Sequence, residues 1–111
     1  MKAAELDRTL IALADPTRRG VIDLLRRAPH RASDIADRLG TSRPAMSRHL
    51  RVLRHGGLVE TFEDDDARVR VYRLRPEKLR SLRAWLEEVE QFWTVELGAF
   101  QDHVERTRGK R

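Results

Sequence analysis

The chain has 111 residues, a net charge of +5 and a sequence pI of about 10.6. It contains no cysteine, which excludes disulfides, thiolate metal ligands and cysteine redox switching. No run approaches the roughly 20 apolar residues of a membrane helix, and the opening MKAAELDRTLIALADP lacks the apolar core of a signal peptide; a soluble, cytoplasmic protein is expected.

Leu6, Leu10, Ile11, Leu13 and Ala14 recur at helical spacing and predict a first helix over 4–14. Asp15-Pro16 predicts a stop and a restart, with Asp as N-cap and Pro in the first helical position. The second helix is expected over 16–28, with Val21, Ile22, Leu24 and Leu25 apolar and Ala28-Pro29 ending it. A short third helix runs from Ser33 to Leu39, burying Ile35, Ala36 and Leu39, and Gly40 occupies the place of a C-terminal glycine.

Ser42 is a good N-cap for the fourth helix, and Pro44 falls in its first turn, where a missing N–H costs nothing. At 100° per residue, Arg43, Pro44, Ser47, Arg48, Arg51, Arg54 and His55 share one arc of about 140°. Ala45, Met46, Leu50, Val52 and Leu53 lie opposite, with His49 inside their arc, where a hydrogen-bonded structural histidine is expected. Gly56-Gly57 ends the helix. Residues 31–57 hold six arginines against Asp34 and Asp37, so the chain's excess positive charge is concentrated here.

Residues 58–63 and 68–74 read as two strands, rich in Val, Thr, Phe and Tyr, joined through the turn Asp64-Asp65-Asp66-Ala67. After Pro76 a long helix is expected to about Arg106. Leu79, Leu82, Leu86, Val89, Trp93, Leu97, Phe100 and Val104 form its stripe, widened by Trp85 and Phe92. Thirty residues span roughly 45 Å, whereas a globule of this size measures about 26–35 Å across. The stripe therefore overruns its own domain and needs a partner surface, most simply a second copy.

The predicted fold is mainly α with a two-stranded β-wing, in the order of a winged helix-turn-helix. In that arrangement the fourth helix enters the major groove and the hairpin touches the flanking backbone of double-stranded DNA. Ser47 and Arg48, midway along the exposed face, can reach base edges. Arg43 can reach a base or a phosphate, and Arg51 and Arg54 are placed for phosphates. The bland alternative, a solvated charged helix, explains neither the preceding turn nor the following hairpin.

LADPTRRGVIDLL (13–25), SDIADRLG (33–40), SRPAMSRHLRVLRHGGLV (42–59) and RVYRL (70–74) resemble the ArsR/SmtB family of bacterial repressors. The resemblance implies a homodimeric winged-helix repressor on an inverted-repeat operator, with residues 1–14 and 76–106 as dimerisation helices. On that reading Leu6, Leu10, Leu82, Leu86, Val89 and Trp93 form the interface. It also implies that Pro44, Ser47 and Arg48 occupy DNA-reading positions.

The departures point to the branch without a metal site. Where metal-sensing members carry a Cys-x-Cys pair, this chain has Arg31 and Ser33. Asp102, His103 and Glu105 on the last helix lack a second histidine at three or four residues. No metal, cofactor or effector is assigned, and no catalytic motif appears. The wing tip, Glu63-Asp64-Asp65-Asp66, would be repelled by phosphate. Contact is then left to Arg68 and Arg70 on the strand behind it, unless the tip points away from DNA or meets a basic protein. The competing functions are a metal-responsive sensor and a protein-interaction module.

Overall fold

The computed structural model describes residues 1–63 and 69–108. In chain order it holds α1 (Ala3–Leu13), α2 (Pro16–Leu25), β1 (His30–Arg31), α3 (Ala32–Leu39), α4 (Arg43–His55), β2 (Val59–Glu63), β3 (Arg70–Leu74) and α5 (Glu77–Arg108). No described helix is long and apolar enough to cross a membrane.

Local chemistry sets most of the boundaries. Asp15 caps α2, accepting from the Arg18 N–H at 3.1 Å. Ser42 caps α4 the same way, accepting from the Ala45 N–H at 3.3 Å. Gly40 closes α3 in the left-handed conformation (φ 64°), with Thr41 N–H bonded to Ala36 O and Gly40 N–H to Asp37 O. The α4 terminus repeats the motif. Gly57 (φ 73°) donates to Arg54 O and Leu58 to Leu53 O, and the Leu58 side chain is buried. Gly57→Ala is expected to destabilise the domain by about 1–2 kcal/mol, the cost of a left-handed L-residue, and Gly57→Asn by less. Thermal melting of the two variants checks this.

One expected boundary needs correction. The second helix ends at Leu25 rather than at residue 28. Arg26 N–H bonds back to Ile22 O, and the proline at 29 disfavours helical backbone just before it. The expected two-stranded wing is present, and a third strand joins it. His30 and Arg31 pair antiparallel with Tyr72 and Val71, giving the order β1-β3-β2. The wing hairpin itself pairs Val59 with Leu74 through Glu63 with Arg70. The expected turn, Asp64 to Ala67, and Arg68 lie outside the described residues.

The core gathers Val21, Leu25, Ile35, Ala36, Met46, Leu50, Leu53, Leu58 and Val59 from α2, α3, α4 and the start of the wing. α1 meets it through small residues. Ala12 and Thr9 are fully buried, with the Thr9 hydroxyl bonded to Glu5 O at 3.0 Å. Of its larger side chains, Leu13 packs partly buried against the core, whereas Leu10 and Ile11 face out, at 42% and 61% exposure. α5 gives the molecule its 77 × 25 × 24 Å extents. Its start is held to α1 by Lys78 on Glu5 (3.4 Å), and most of its apolar stripe has no covering in the single chain.

Candidate nucleic-acid interface

α4 is presented by α3 through the tight turn at Gly40-Thr41-Ser42. Met46, Leu50 and Leu53 are at most 1% exposed and anchor the helix on the core. Arg43, Pro44, Ser47, Arg48, Arg51, Arg54 and His55 are all exposed. The two faces of α4 thus divide at the arcs that the helical spacing predicts.

A cleft of about 520 Å³ separates α4 from the wing. Ser47, Arg51, Arg54 and His55 line one side, Arg70 and Tyr72 the other. The fold brings Arg70 to Arg51 and Arg54. It leaves Arg43, Pro44 and Arg48 outside the cleft, on the open part of the helix face. Arg68 lies outside the described residues. Two lining residues escaped the site reading of the sequence. His55 was legible, since it shares the arginine arc. Tyr72 stands two residues from Arg70 and so on the same strand face, but an aromatic in a strand reads as core, and half of it does pack there.

Among the described residues, no acid pairs with Arg43, Arg48, Arg51, Arg54 or Arg70. Two further arginines at the described part of the wing, Arg73 and Arg75, are occupied. Arg73 donates to Glu60 at 2.7 Å and lies over the Phe62 ring, 4.7 Å from its centroid. Arg75 stands 3.6 Å from Glu60 and 3.7 Å from Glu77. Uncompensated positive charge is therefore concentrated on α4 and the near edge of β3, the pattern that attracts a polyanion.

His49 sits on the inner side of α4, half-buried, with Nδ1 3.3 Å from an Arg18 terminal nitrogen and 4.0 Å from Asp15. The Arg18 backbone N–H, with the charges of His49 and Arg18, holds the Asp15 carboxyl below its usual range despite partial burial. Behind α3, His30 Nδ1 meets Asp34 at 2.7 Å and Arg38 reaches the same oxygen at 3.0 Å. Burial raises the Asp34 pKa, but these two bonds outweigh it and the net shift is down. Asp102 and His103 are exposed on α5, and among the described residues no three His, Cys, Asp or Glu side chains gather as a metal would need.

Residues 13–61 match the family described as a helix-turn-helix domain. The chain is 36% identical over 99 residues to the HTH-type transcriptional regulator Rv2034 of Mycobacterium tuberculosis, covering 89% of this chain and 88% of that protein. Among solved structures it superposes on an ArsR-like transcriptional regulator from Rhodococcus sp. RHA1 with a TM-score of 0.85 and 35% identity, over 92% of both chains. It also matches the homodimeric winged helix-turn-helix DNA-binding domain of Mb0332 from Mycobacterium bovis, described as a possible ArsR-family regulator. There the TM-score is 0.64 and the identity 28%, over 79% of this chain and 80% of that one. With the two-faced α4, the hairpin wing and relatives of this extent, the chain belongs to the ArsR family of winged helix-turn-helix transcriptional regulators, a non-enzymatic class.

Proposed function

We propose that the chain is a dimeric repressor binding an inverted-repeat operator, one α4 per half-site, with half-sites about one helical turn apart. The observation that carries the reading is α4, buried through Met46, Leu50 and Leu53 and basic across its whole open side. Ser47 and Arg48, with Pro44 beside them, read base edges in the major groove, and Arg43 at the helix start reaches a base or a phosphate. Arg51, Arg54 and Arg70 around the cleft, and Arg68 further along the wing, meet the backbone. The dimer forms through α1 and α5, using Leu6, Leu10, Leu82, Leu86, Val89 and Trp93. Leu6 and Leu82 are half-buried already, and the other four are exposed, which supports a contact completed by a second copy. Occupying a promoter in this way excludes polymerase, and the protein works on the nucleoid in the cytoplasm.

The test separates two kinds of arginine. Arg48→Ala should cost about 1–3 kcal/mol on the protein's own promoter duplex and narrow the gap to a scrambled duplex. Arg51→Ala should weaken both duplexes alike and lower the salt slope by about one unit per subunit. Binding to both duplexes across a salt series measures this. Equal losses on both duplexes from both variants would reduce the α4 face to a general anion-binding surface.

A further inference from the structure

Three elements meet behind the far end of α4. There α1, the Gly56-Gly57 terminus of α4 and the start of α5 enclose a pocket of about 120 Å³, lined by Glu5, Arg8, His55, Gly56, Gly57 and Lys78. One water takes on the order of 10–15 Å³ of such space, so a molecule of several heavy atoms fits. Bare backbone at the α4 terminus keeps the floor open. A methyl group at Gly57 would stand 3.3 Å from the Lys78 stem, and one at Gly56 3.4 Å from Val52 O. The N–H groups of the floor are committed, Gly56 to Val52 O and Gly57 to Arg54 O, which also occupies carbonyls at the negative end of α4. Recognition is left to the side chains.

Those side chains carry an excess of donors. Among the described residues, no acid lies within ion-pair distance of Arg8 or His55. Lys78 has Glu5 at 3.4 Å, with both side chains about a third exposed, a pair of the kind that holds weakly. Around α1, Arg8 lies about 160° from both Leu6 and Leu10, turned away from the face assigned to a second copy. His55 lines this pocket and also the cleft between α4 and the wing.

We propose that the pocket binds a small oxyanion bearing a hydroxyl: a hydroxycarboxylate, or phosphate, which keeps an O–H near neutral pH. The Arg8 fork donates to two anion oxygens, Lys78 and His55 donate to what remains, and Glu5 accepts from the hydroxyl. An anion that draws His55 inward takes a donor from the cleft. It also places negative charge at the end of the helix that carries Arg51 and Arg54. The occupied protein therefore holds DNA less tightly, and DNA weakens the anion by the same factor. This coupling rests on the operator reading above; binding of the anion does not.

The test titrates the full chain with inorganic phosphate, lactate, sulfate and acetate, with sodium chloride holding ionic strength constant. The amide resonances of Gly56 and Gly57 report binding. Phosphate or lactate should shift them to saturation, at least tenfold more tightly than sulfate or acetate, which offer Glu5 no proton. Lactate without phosphate names the carboxylate as the source, and phosphate without lactate the phosphoryl group. Arg8→Gln should weaken binding at least tenfold, with thermal melting confirming its fold. Arg26→Gln, an equal loss of charge on α2, should change it less than twofold. If none of the four anions saturates, or all four bind alike, the site falls. It falls too if Arg51→Gln abolishes the shift and Arg8→Gln does not, because the anion then sits in the DNA cleft. Promoter-duplex binding runs alongside. The saturating anion should weaken it about fivefold or more, and Arg8→Gln should remove that effect. Anion binding with duplex affinity unchanged overturns the coupling. Anion binding with no duplex binding under any condition overturns the operator reading and leaves the pocket standing.

Discussion

Leu53→Ala should lower the free energy of unfolding by about 2–5 kcal/mol, the range for truncating a fully buried leucine. Leu53 is 0% exposed and lies with Met46 and Leu50 between α4 and the core. Removing its isobutyl group loses the transfer energy of those atoms and leaves a void that the surrounding core fills only in part. A domain of this size has about 5–15 kcal/mol in all, so the loss is a large share of it. The control lies on the same helix. Arg48→Ala, on the open side, should stay within about 0.5 kcal/mol while weakening operator binding. Urea denaturation of both variants gives the comparison. A Leu53→Ala loss no larger than that of Arg48→Ala would mean that α4 is not seated as described.

Arg18→Ala is the second large loss expected, about 2–3 kcal/mol from hydrogen bonds made by a charged donor. The last carbonyls of α1 lack the donors that serve the helix interior, apart from a 3.2 Å bond from the Ala14 N–H to Ile11 O. Arg18 takes two of them, Ala12 O at 2.8 Å and Ile11 O at 2.9 Å, and its remaining nitrogen reaches His49 on α4. Arg19 takes the third, Leu13 O at 2.8 Å. One planar guanidinium thus caps α1 and ties it to α4. Arg18→Lys keeps the charge but not the fork, and should recover less than half of the loss. Arg19→Ala, whose bond is exposed, should cost about 1 kcal/mol or less. If Arg19→Ala proves as damaging as Arg18→Ala in the same denaturation series, the tie to α4 contributes nothing.

Much of the reading frame of α4 was legible because it rests on local rules: Ser42 as cap, Pro44 in the first turn, Gly40 and Gly57 at the ends, and a clean wheel between them. His49 was legible for the same reason, since its position on the wheel placed it inward, where Arg18 now meets it. β1 was not, because two residues carry no period and His30-Arg31 becomes a strand only by pairing with β3. α1 was legible as a helix but not in its inner face. Its large apolar residues set the helical spacing, and Leu6 and Leu10 were assigned to a second copy, but which residues of α1 face the core was not legible: the fully buried ones are the small Thr9 and Ala12. The cleft against the wing needed the hairpin's path in space, so Tyr72 and the meeting of Arg70 with Arg51 could not be read from spacing alone.

The seam of small residues between α1 and α4 has a mechanical consequence. A methyl group at Gly56 would already touch Val52 O at 3.4 Å, the Ala12 side chain at 3.6 Å and Arg8 O at 3.7 Å. With Thr9 and Ala12 fully buried on the other side, the two helices meet at van der Waals distance with little side chain between them. A close-packed seam of this kind transmits strain more readily than one cushioned by long side chains. A force on α1 therefore bears directly on the end of α4, the helix that carries the basic face.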